Sequence, residues 1–231
     1  MPTDLTAEGS ALPLLAWLSP AFPVGAFAYS HGLEWAAEAG DIRDRDTCAA
    51  WIEDLLRHGA GRSDAILLAA AWRAAHGGDD EGLRQAAELS AALQPTAERR
   101  LEATAQGAAF LAAVTAAWPN EGAAMLRRVW PHDVAYPVAL GASAAGASIP
   151  LTPTLEGFLL AFVGNLTSSA IRLSVIGQTD GQRIIAGLTA EIIRLAADAA
   201  AASLDDLGGA VFRADIGSFR HENQYTRLFR S

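Results

Sequence analysis

Apolar residues recur at three- and four-residue intervals along most of this chain of 231 residues. Such spacing places them on one face of an α-helix, whereas a half-buried β-strand needs strict alternation of apolar and polar residues. Ala49, Ile52, Leu55 and Leu56 show the helical pattern, and no alternating run of strand length is convincing. The sequence therefore predicts an all-α fold, a single-domain bundle of about nine or ten helices with no significant sheet.

Glycines and prolines divide the helical pattern into segments. We predict a flexible N-terminus over residues 1–9 and an all-α domain over residues 10–210. The pair Gly208-Gly209 separates the last long helix from a distinct terminal segment, residues 211–231. We predict that this segment is a partner-binding tail of the same domain.

Two local features bear on the course of the chain. Asp64 precedes an apolar run and is predicted to cap the N-terminus of a helix over residues 65–75. The longest stretch without charge, residues 134–155, is long enough to span a bilayer. It contains three prolines and many small residues, so it is interpreted as buried structure and no membrane span is expected.

Charge and composition exclude several classes of protein. The formal net charge is −9, which argues against nucleic acid as the main partner because phosphate neutralisation needs clustered positive charge. All 17 basic residues are arginine, so the Walker-A lysine of P-loop NTPases and a lysine Schiff base are both lacking. Cys48 is the single cysteine, which allows no internal disulfide and fits a reducing, cytosolic setting.

No catalytic constellation is recognisable in the sequence. None of the five histidines lies four residues from another, and no HExxH motif is present. His31 and Glu34 are three residues apart and could share a helix face, but two ligands do not make a metal site. An all-α enzyme whose site includes His31, Glu34 and Arg172 stays open as an alternative function.

Three segments carry more chemistry than a helical bundle needs. The turn-forming stretch PAFPVGAFAYSHGLEW, residues 20–35, is rich in aromatic and polar groups. Residues 211–231 hold four arginines, against two carboxylates, interleaved with aromatics, a composition typical of interface cores. This terminal segment either packs on its own domain or becomes ordered on a partner. The third segment includes Arg172 on an apolar helix, where it must be paired internally or presented at a surface.

These segments resemble conserved blocks of the UreF-type urease accessory proteins. SPAFPVGAFAYSHGLE, residues 19–34, looks like that family's N-terminal signature, which is close to SPxxPVGxFxYSxGLE. NLTSSAIRLSVIGQTDGQ, residues 165–182, and RHENQYTRLFRS, residues 220–231, are similar to its central segment and its C-terminus. The three blocks occur in the family's order, and the resemblance covers essentially the whole chain.

The resemblance implies roles for residues at matching positions. Pro23 and Gly25 are expected to shape the turn, Gly32 to let a backbone approach, and Tyr29 or Glu34 to face a partner. The residues expected to bind partners are Phe27, Tyr29, Ser30, Gly32, Glu34, Arg172, Gln178, Gln182, Arg220, His221, Gln224, Arg227, Phe229 and Arg230.

One region departs from the family pattern. The family often has a serine- and arginine-rich stretch where this chain has PTAERRLEATAQG, residues 95–107. Less weight therefore falls on Arg99 and Arg100 as contacts.

The resemblance also implies a function without catalysis. Members of the family form dimers and bind the accessory protein UreD, also called UreH; the complex recruits the GTPase UreG and docks on apo-urease. GTP hydrolysis is thereby coupled to nickel delivery. We expect the same partners here, a homodimer, a cytoplasmic location, no cofactor or tight metal site, and neither nucleic acid nor a membrane as partner. Weak nickel contact through His31, Cys48 or His221 stays open.

Overall fold

The chain is described by a computed structural model over residues 10–231, and these residues form eleven α-helices and no strand. The helices are α1 (Leu12–Trp17), α2 (Leu33–Glu38), α3 (Arg45–His58), α4 (Ala60–Gly77), α5 (Asp80–Ala92), α6 (Ala97–Ala117), α7 (Glu121–Val129), α8 (Tyr136–Gly146), α9 (Leu151–Arg172), α10 (Gln178–Ala201) and α11 (Phe212–His221). The all-α prediction is confirmed. The predicted flexible segment, residues 1–9, lies outside the described residues.

The core is built around α4, which packs against α3, α5, α8, α9 and α10. Its side chains from Ala65 to Ala69 are all buried, and α8 is buried along most of its length. Gly141 brings α8 close to α4, because a Cβ at this position would lie 2.4 Å from the carbonyl oxygen of Leu68. The small residues of the uncharged stretch therefore serve close helix packing.

The predicted start of α4 was wrong. The helix begins at Ala60, with Gly59 at its N-cap position, so Asp64 lies inside the helix rather than at its end. Arg62 fixes this extra turn, because its guanidinium donates to the carbonyl oxygens of Asp206 and Gly208 at 2.9 and 3.0 Å. The chain thus places Asp64 along the side of α4, where the residue is half-buried.

Helix α9 crosses the bundle and lies against α10, α4 and α3. By length and composition alone it could span a membrane, but 56% of its most apolar window is buried inside the protein. Burial of that kind is the behaviour of a core helix. α9 carries Asn165, Ser169 and Arg172 toward the segment that precedes α2, and so links the core to the region described next.

Candidate functional site

The first motif block forms a turn with three left-handed residues before α2. Gly25 has φ +72°, His31 +55° and Gly32 +73°. Pro23 and Gly25 precede a short 3-10 helix, Ala26–Ala28, and their role in shaping the turn stays a prediction. A positive φ is strained for a residue with a side chain, and His31 adopts one. This conformation is retained because the His31 side chain is buried and bonded to Glu102.

Gly32 is the point where α2 meets α11. A Cβ on this residue would lie 2.8 Å from the amide nitrogen of Ser218 and 3.1 Å from the carbonyl oxygen of Ala214. The structure therefore requires glycine here for both its φ and its space. The backbone that approaches Gly32 belongs to the C-terminal segment of the same chain.

The carboxylate of Glu34 binds that terminal segment. Its oxygens accept from the backbone amides of Leu228 and Phe229 at 2.6 and 2.9 Å, and one lies 3.1 Å from Nε2 of His221. Ser30 extends the attachment, because its amide and hydroxyl both donate to the carbonyl oxygen of Ser231, at 2.8 and 2.5 Å. The tail is thus fastened to the first motif along its backbone.

His221 lies between two carboxylates. Its Nδ1 is 2.8 Å from Glu98, and its Nε2 faces Glu34 on the other side. Arg227 donates to the second oxygen of Glu98 at 2.7 Å. The tail therefore supplies side-chain partners for Glu34 of α2 and Glu98 of α6.

Glu102 is the acceptor at the centre of the region. It receives His31 Nε2 at 2.9 Å, Gln106 Nε2 at 3.1 Å, Ser231 Oγ at 2.7 Å and the guanidinium of Arg99. Burial alone would raise the pKa of Glu102, but Arg99 and His31 outweigh it and lower this pKa to about 2. Glu102 is therefore ionised throughout the physiological range.

The pKa values of two neighbouring groups, His31 and Asp64, are shifted in the direction that favours the neutral form. Burial, followed by the charge of Arg99, lowers the pKa of His31, so the neutral ring donates from Nε2 to Glu102. Its Nδ1 is buried and has no hydrogen-bond partner in the described part of the chain. Burial raises the pKa of Asp64 to about 7.

We call these groups the buried charge cluster. Its members are His31, Glu34, Asp64, Glu98, Arg99, Glu102 and His221.

The central motif block joins the region through Arg172. Its guanidinium carbon lies 4.4 Å from the centre of the Phe229 ring, and it donates to the carbonyl oxygen of Phe27. Arg172 is thus paired within the chain by an aromatic face and a carbonyl group. Gln178 and Gln182 lie exposed at the start of α10, and within residues 10–231 neither hydrogen-bonds to the buried charge cluster.

The structure separates the expected partner-binding residues into two groups. Phe27, Arg172, Gln178, Gln182, Arg220, Arg227 and Arg230 are exposed, and Gln224 is half-buried. Tyr29, Ser30, Gly32, Glu34, His221 and Phe229 are buried in this chain. Tyr29 and Glu34, which were expected to face a partner, are 4% and 6% exposed in this chain, and Glu34 binds the tail.

The exposed chemistry of the tail is concentrated on α11. Phe212, Ile216 and Phe219 follow one face of this helix and are 77%, 52% and 53% exposed. Arg213 and Arg220 are exposed on the same helix. The opposite face is buried and carries Ala214, Gly217, Ser218 and His221. We call Phe212, Ile216 and Phe219 the α11 stripe.

Sequence reasoning missed the contribution of α6. Glu98 and Glu102 are four residues apart on one face of α6, with Arg99 beside them, and this spacing in a largely apolar helix was the available signal. Arg99 received little weight, yet it is 6% exposed and bonded to Glu102. Arg100, the adjacent arginine, is exposed. Residues 10–231 contain no group of three or more His, Cys, Asp or Glu side chains able to hold a metal ion.

The fold and the buried charge cluster define a helical scaffold whose polar motifs bind one another and hold its C-terminal segment. The sequence matches the UreF protein-family model over residues 42–189. It is 56% identical to a urease accessory protein UreF of Xanthobacter autotrophicus over 99% of this chain and 94% of that protein. It is 54% identical to one of Azorhizobium caulinodans over 97% of each.

The chain therefore belongs to the UreF family of urease accessory proteins. This result confirms the resemblance carried by the three motif blocks. Because these relatives are named as accessory proteins and not as enzymes, the prediction of a non-enzyme is confirmed as well. The alternative of an enzyme built on His31, Glu34 and Arg172 is dropped, since Glu34 and Arg172 are occupied by the tail.

Proposed function

We propose that this protein bridges UreD/UreH and the GTPase UreG, and so couples GTP hydrolysis to nickel delivery into apo-urease. It acts in the cytoplasm as a homodimer. Family membership supports an accessory role in urease maturation. The proposal goes further, because it names the partners that the chain bridges. The observation that carries the extension is the α11 stripe.

The α11 stripe has the character of a protein-binding surface. Three large apolar side chains are exposed on ten residues of helix, and contiguous patches of this kind are usually covered by a partner. Arg213 and Arg220 beside the stripe add the residue type that interface hot spots favour. The stripe is the surface on which we place UreD/UreH.

The buried motif residues support this surface from below. Glu34, Glu98 and Glu102 together bind the tail through His221, Arg227, Ser231 and two backbone amides. A preordered surface loses less conformational freedom on binding than a free tail does. The motifs therefore act on partner binding indirectly, by positioning α11.

Nickel is handled by the assembled complex in this proposal, with no tight site in the chain. Burial raises the pKa of Cys48 to about 11, so its thiol stays protonated and is a poor metal ligand. Both ring nitrogens of His221 face carboxylates. These contacts support a role for the chain in recognition rather than in metal storage.

Surface substitution tests UreD/UreH binding more cleanly than deletion of the tail. Removing residues 212–231 would strip partners from Glu34, Glu98 and Glu102 and unfold more than the interface. Phe212→Ser and Phe219→Ser change only exposed side chains. The matched control is Ile193→Ser, which alters a side chain 53% exposed on α10.

We expect the double variant Phe212→Ser/Phe219→Ser to lose co-purification with UreD/UreH while its helical circular dichroism is retained. The Ile193→Ser protein should co-purify as the wild type does. Full retention by the double variant would overturn the placement of UreD/UreH on the α11 stripe. The coupling is tested separately, by GTP hydrolysis and urease activation in a reconstituted system with and without this chain; unchanged rates and unchanged activation would overturn it.

A further inference from the structure

A second site is indicated by a cavity on the side of the buried charge cluster away from α11. The cavity has a volume of about 370 Å³ and lies between α1, α6, α9 and the segment 18–27. Its mouth is marked by Phe27, which is 67% exposed, and by the exposed Ser168. This volume is in the range of pockets that bind small ligands.

The polar end of the cavity offers acceptors. It is lined by His31, Asp64, Arg99, Glu102 and Gln106. Nδ1 of His31 is buried without a hydrogen-bond partner among the described residues, and a buried polar atom of this kind requires an explanation. Because Nε2 donates to Glu102, Nδ1 carries a lone pair and needs a donor. His31 also holds a strained backbone at φ +55°, a condition common at binding sites.

The charges at this end favour a cation. Asp64 and Glu102 supply two carboxyl groups against the single guanidinium of Arg99, and Arg99 is already bonded to Glu102. Within residues 10–231, Asp64 is left as the group without a salt-bridge partner of its own. A positively charged donor would therefore satisfy both Asp64 and Nδ1 of His31.

The walls favour an organic cation over a bare metal ion. They are aromatic and come from Trp17, Phe22, Tyr136, Phe158 and Phe162. Aromatic faces bind alkyl chains by burial and ammonium groups through the ring quadrupole. In addition, no group of three or more metal-ligating side chains occurs within residues 10–231.

We propose that this cavity binds an alkylammonium group, with the ammonium at His31 and Asp64 and the alkyl stem between the aromatic walls. The source is a lysine side chain of a partner protein or a free diamine; the chain itself has no lysine. The cavity is separate from the α11 stripe, so this site stands independently of the proposed UreD/UreH surface.

The test is an NMR titration of the full chain with n-butylammonium, read at the side-chain signals of Trp17 and His31. The controls are n-butyrate and n-butanol, which keep the alkyl chain without the positive charge. We expect saturable shifts with n-butylammonium at millimolar concentrations, on the order expected for so small a ligand. We expect neither control to shift these signals comparably.

Two variants locate the site. Asp64→Asn removes the carboxylate and should weaken binding about tenfold or more, whereas Asp54→Asn makes the same change on an exposed residue of α3 and should leave it unchanged. Gly164→Leu should block the mouth, because a Cβ at Gly164 meets nothing within 4 Å and the fold can accept it. Retained binding in both Asp64→Asn and Gly164→Leu would overturn the proposal.

Further measurements distinguish a partner's lysine from a free diamine as the source of the ammonium group. They also distinguish an organic cation from a metal ion. Tighter binding of Nα-acetyl-lysine methylamide than of putrescine supports a partner's lysine, and the reverse order supports a free diamine. Equal binding of n-butyrate overturns the proposal. Zn²⁺ alone, if it shifts the His31 signals and displaces n-butylammonium, overturns it in favour of a metal site.

Discussion

The carboxylate of Glu34 accepts hydrogen bonds from the backbone amides of Leu228 and Phe229, at 2.6 and 2.9 Å. These residues lie at opposite ends of the sequence, in two of the three blocks that characterise the family. Glu34 thereby binds the backbone of the tail as well as the side chain of His221. One buried acidic group therefore holds the C-terminal segment at three residues, which leads to the first prediction.

Glu34→Gln should loosen the tail. The amide keeps the size of the side chain but loses the charge and one acceptor, and an unsatisfied buried group costs about 1–3 kcal/mol. Hydrogen exchange at the amides of Leu228 and Phe229 should accelerate, as measured by NMR. Glu121→Gln makes the same change on an exposed residue at the start of α7, away from the tail, and should have little effect; equal protection in both variants would contradict this account.

Replacing His221 should destabilise the whole chain. His221→Phe leaves the carboxylates of Glu34 and Glu98 without the ring that lies between them. Losing buried hydrogen bonds to carboxylates in this way costs about 1–3 kcal/mol. The measurement is urea unfolding, with His132→Phe as the exposed control. A loss no larger than that of the control would show that His221 does not hold the tail.

Two glycines with nearly identical φ provide a matched comparison of strain and space. Gly25→Ala should cost about 1–2 kcal/mol from the left-handed conformation alone, because a Cβ there meets nothing within 4 Å. Gly32→Ala should cost more, since its Cβ would also lie 2.8 Å from the amide nitrogen of Ser218. Thermal unfolding measures the loss of stability in both variants. Equal losses would mean that α11 does not pack closely against Gly32.

The sequence predicted the fold class and a turn within residues 20–35, because helical periodicity and turn-forming prolines and glycines are local signals. It did not predict that Glu34 is buried, since its partners lie almost two hundred positions away in sequence. The sequence indicated that Glu98 and Glu102 share one helical face. It did not indicate that the C-terminal segment packs against that face. Long-range contacts decide burial, and a single sequence does not contain them.

The wrong prediction of Asp64 as a helix cap also changes the expected ionisation of its carboxyl group. As a helix cap it would be exposed and ionised, with its charge favoured by the helix N-terminus. Within α4, it lines both the large cavity and a smaller one of about 100 Å³ next to α11. Its position one turn inside the helix follows from the contacts of Arg62 with the distant segment 206–208, which no local pattern reveals.

The half-buried position of Asp64 leads to a prediction about pH. Burial raises the pKa of its carboxyl from 3.8 to about 7, although Arg99 opposes the shift and Glu102 adds to it. Between these two values the folded state binds more protons than the unfolded state, so this group's contribution to the free energy of unfolding falls as pH rises. The contribution is fully present below pH 3.8 and is lost by about pH 7.

Asp64→Asn removes this dependence. The difference in unfolding free energy between the variant and the wild type should grow in favour of the variant from pH 4 to pH 7, by at most about 4 kcal/mol. Glu102 acts in the opposite direction, because its pKa is lowered from 4.5 to about 2. Its contribution to the free energy of unfolding is lost only as pH falls below 4.5. Glu102 is present in both proteins, so its contribution cancels in the difference. Urea unfolding at a series of pH values measures the difference, with Asp54→Asn as the exposed control. Parallel curves for the Asp64→Asn and wild-type proteins would show that the Asp64 carboxyl is ionised in the folded state at pH 4, and hence that it is not buried as described.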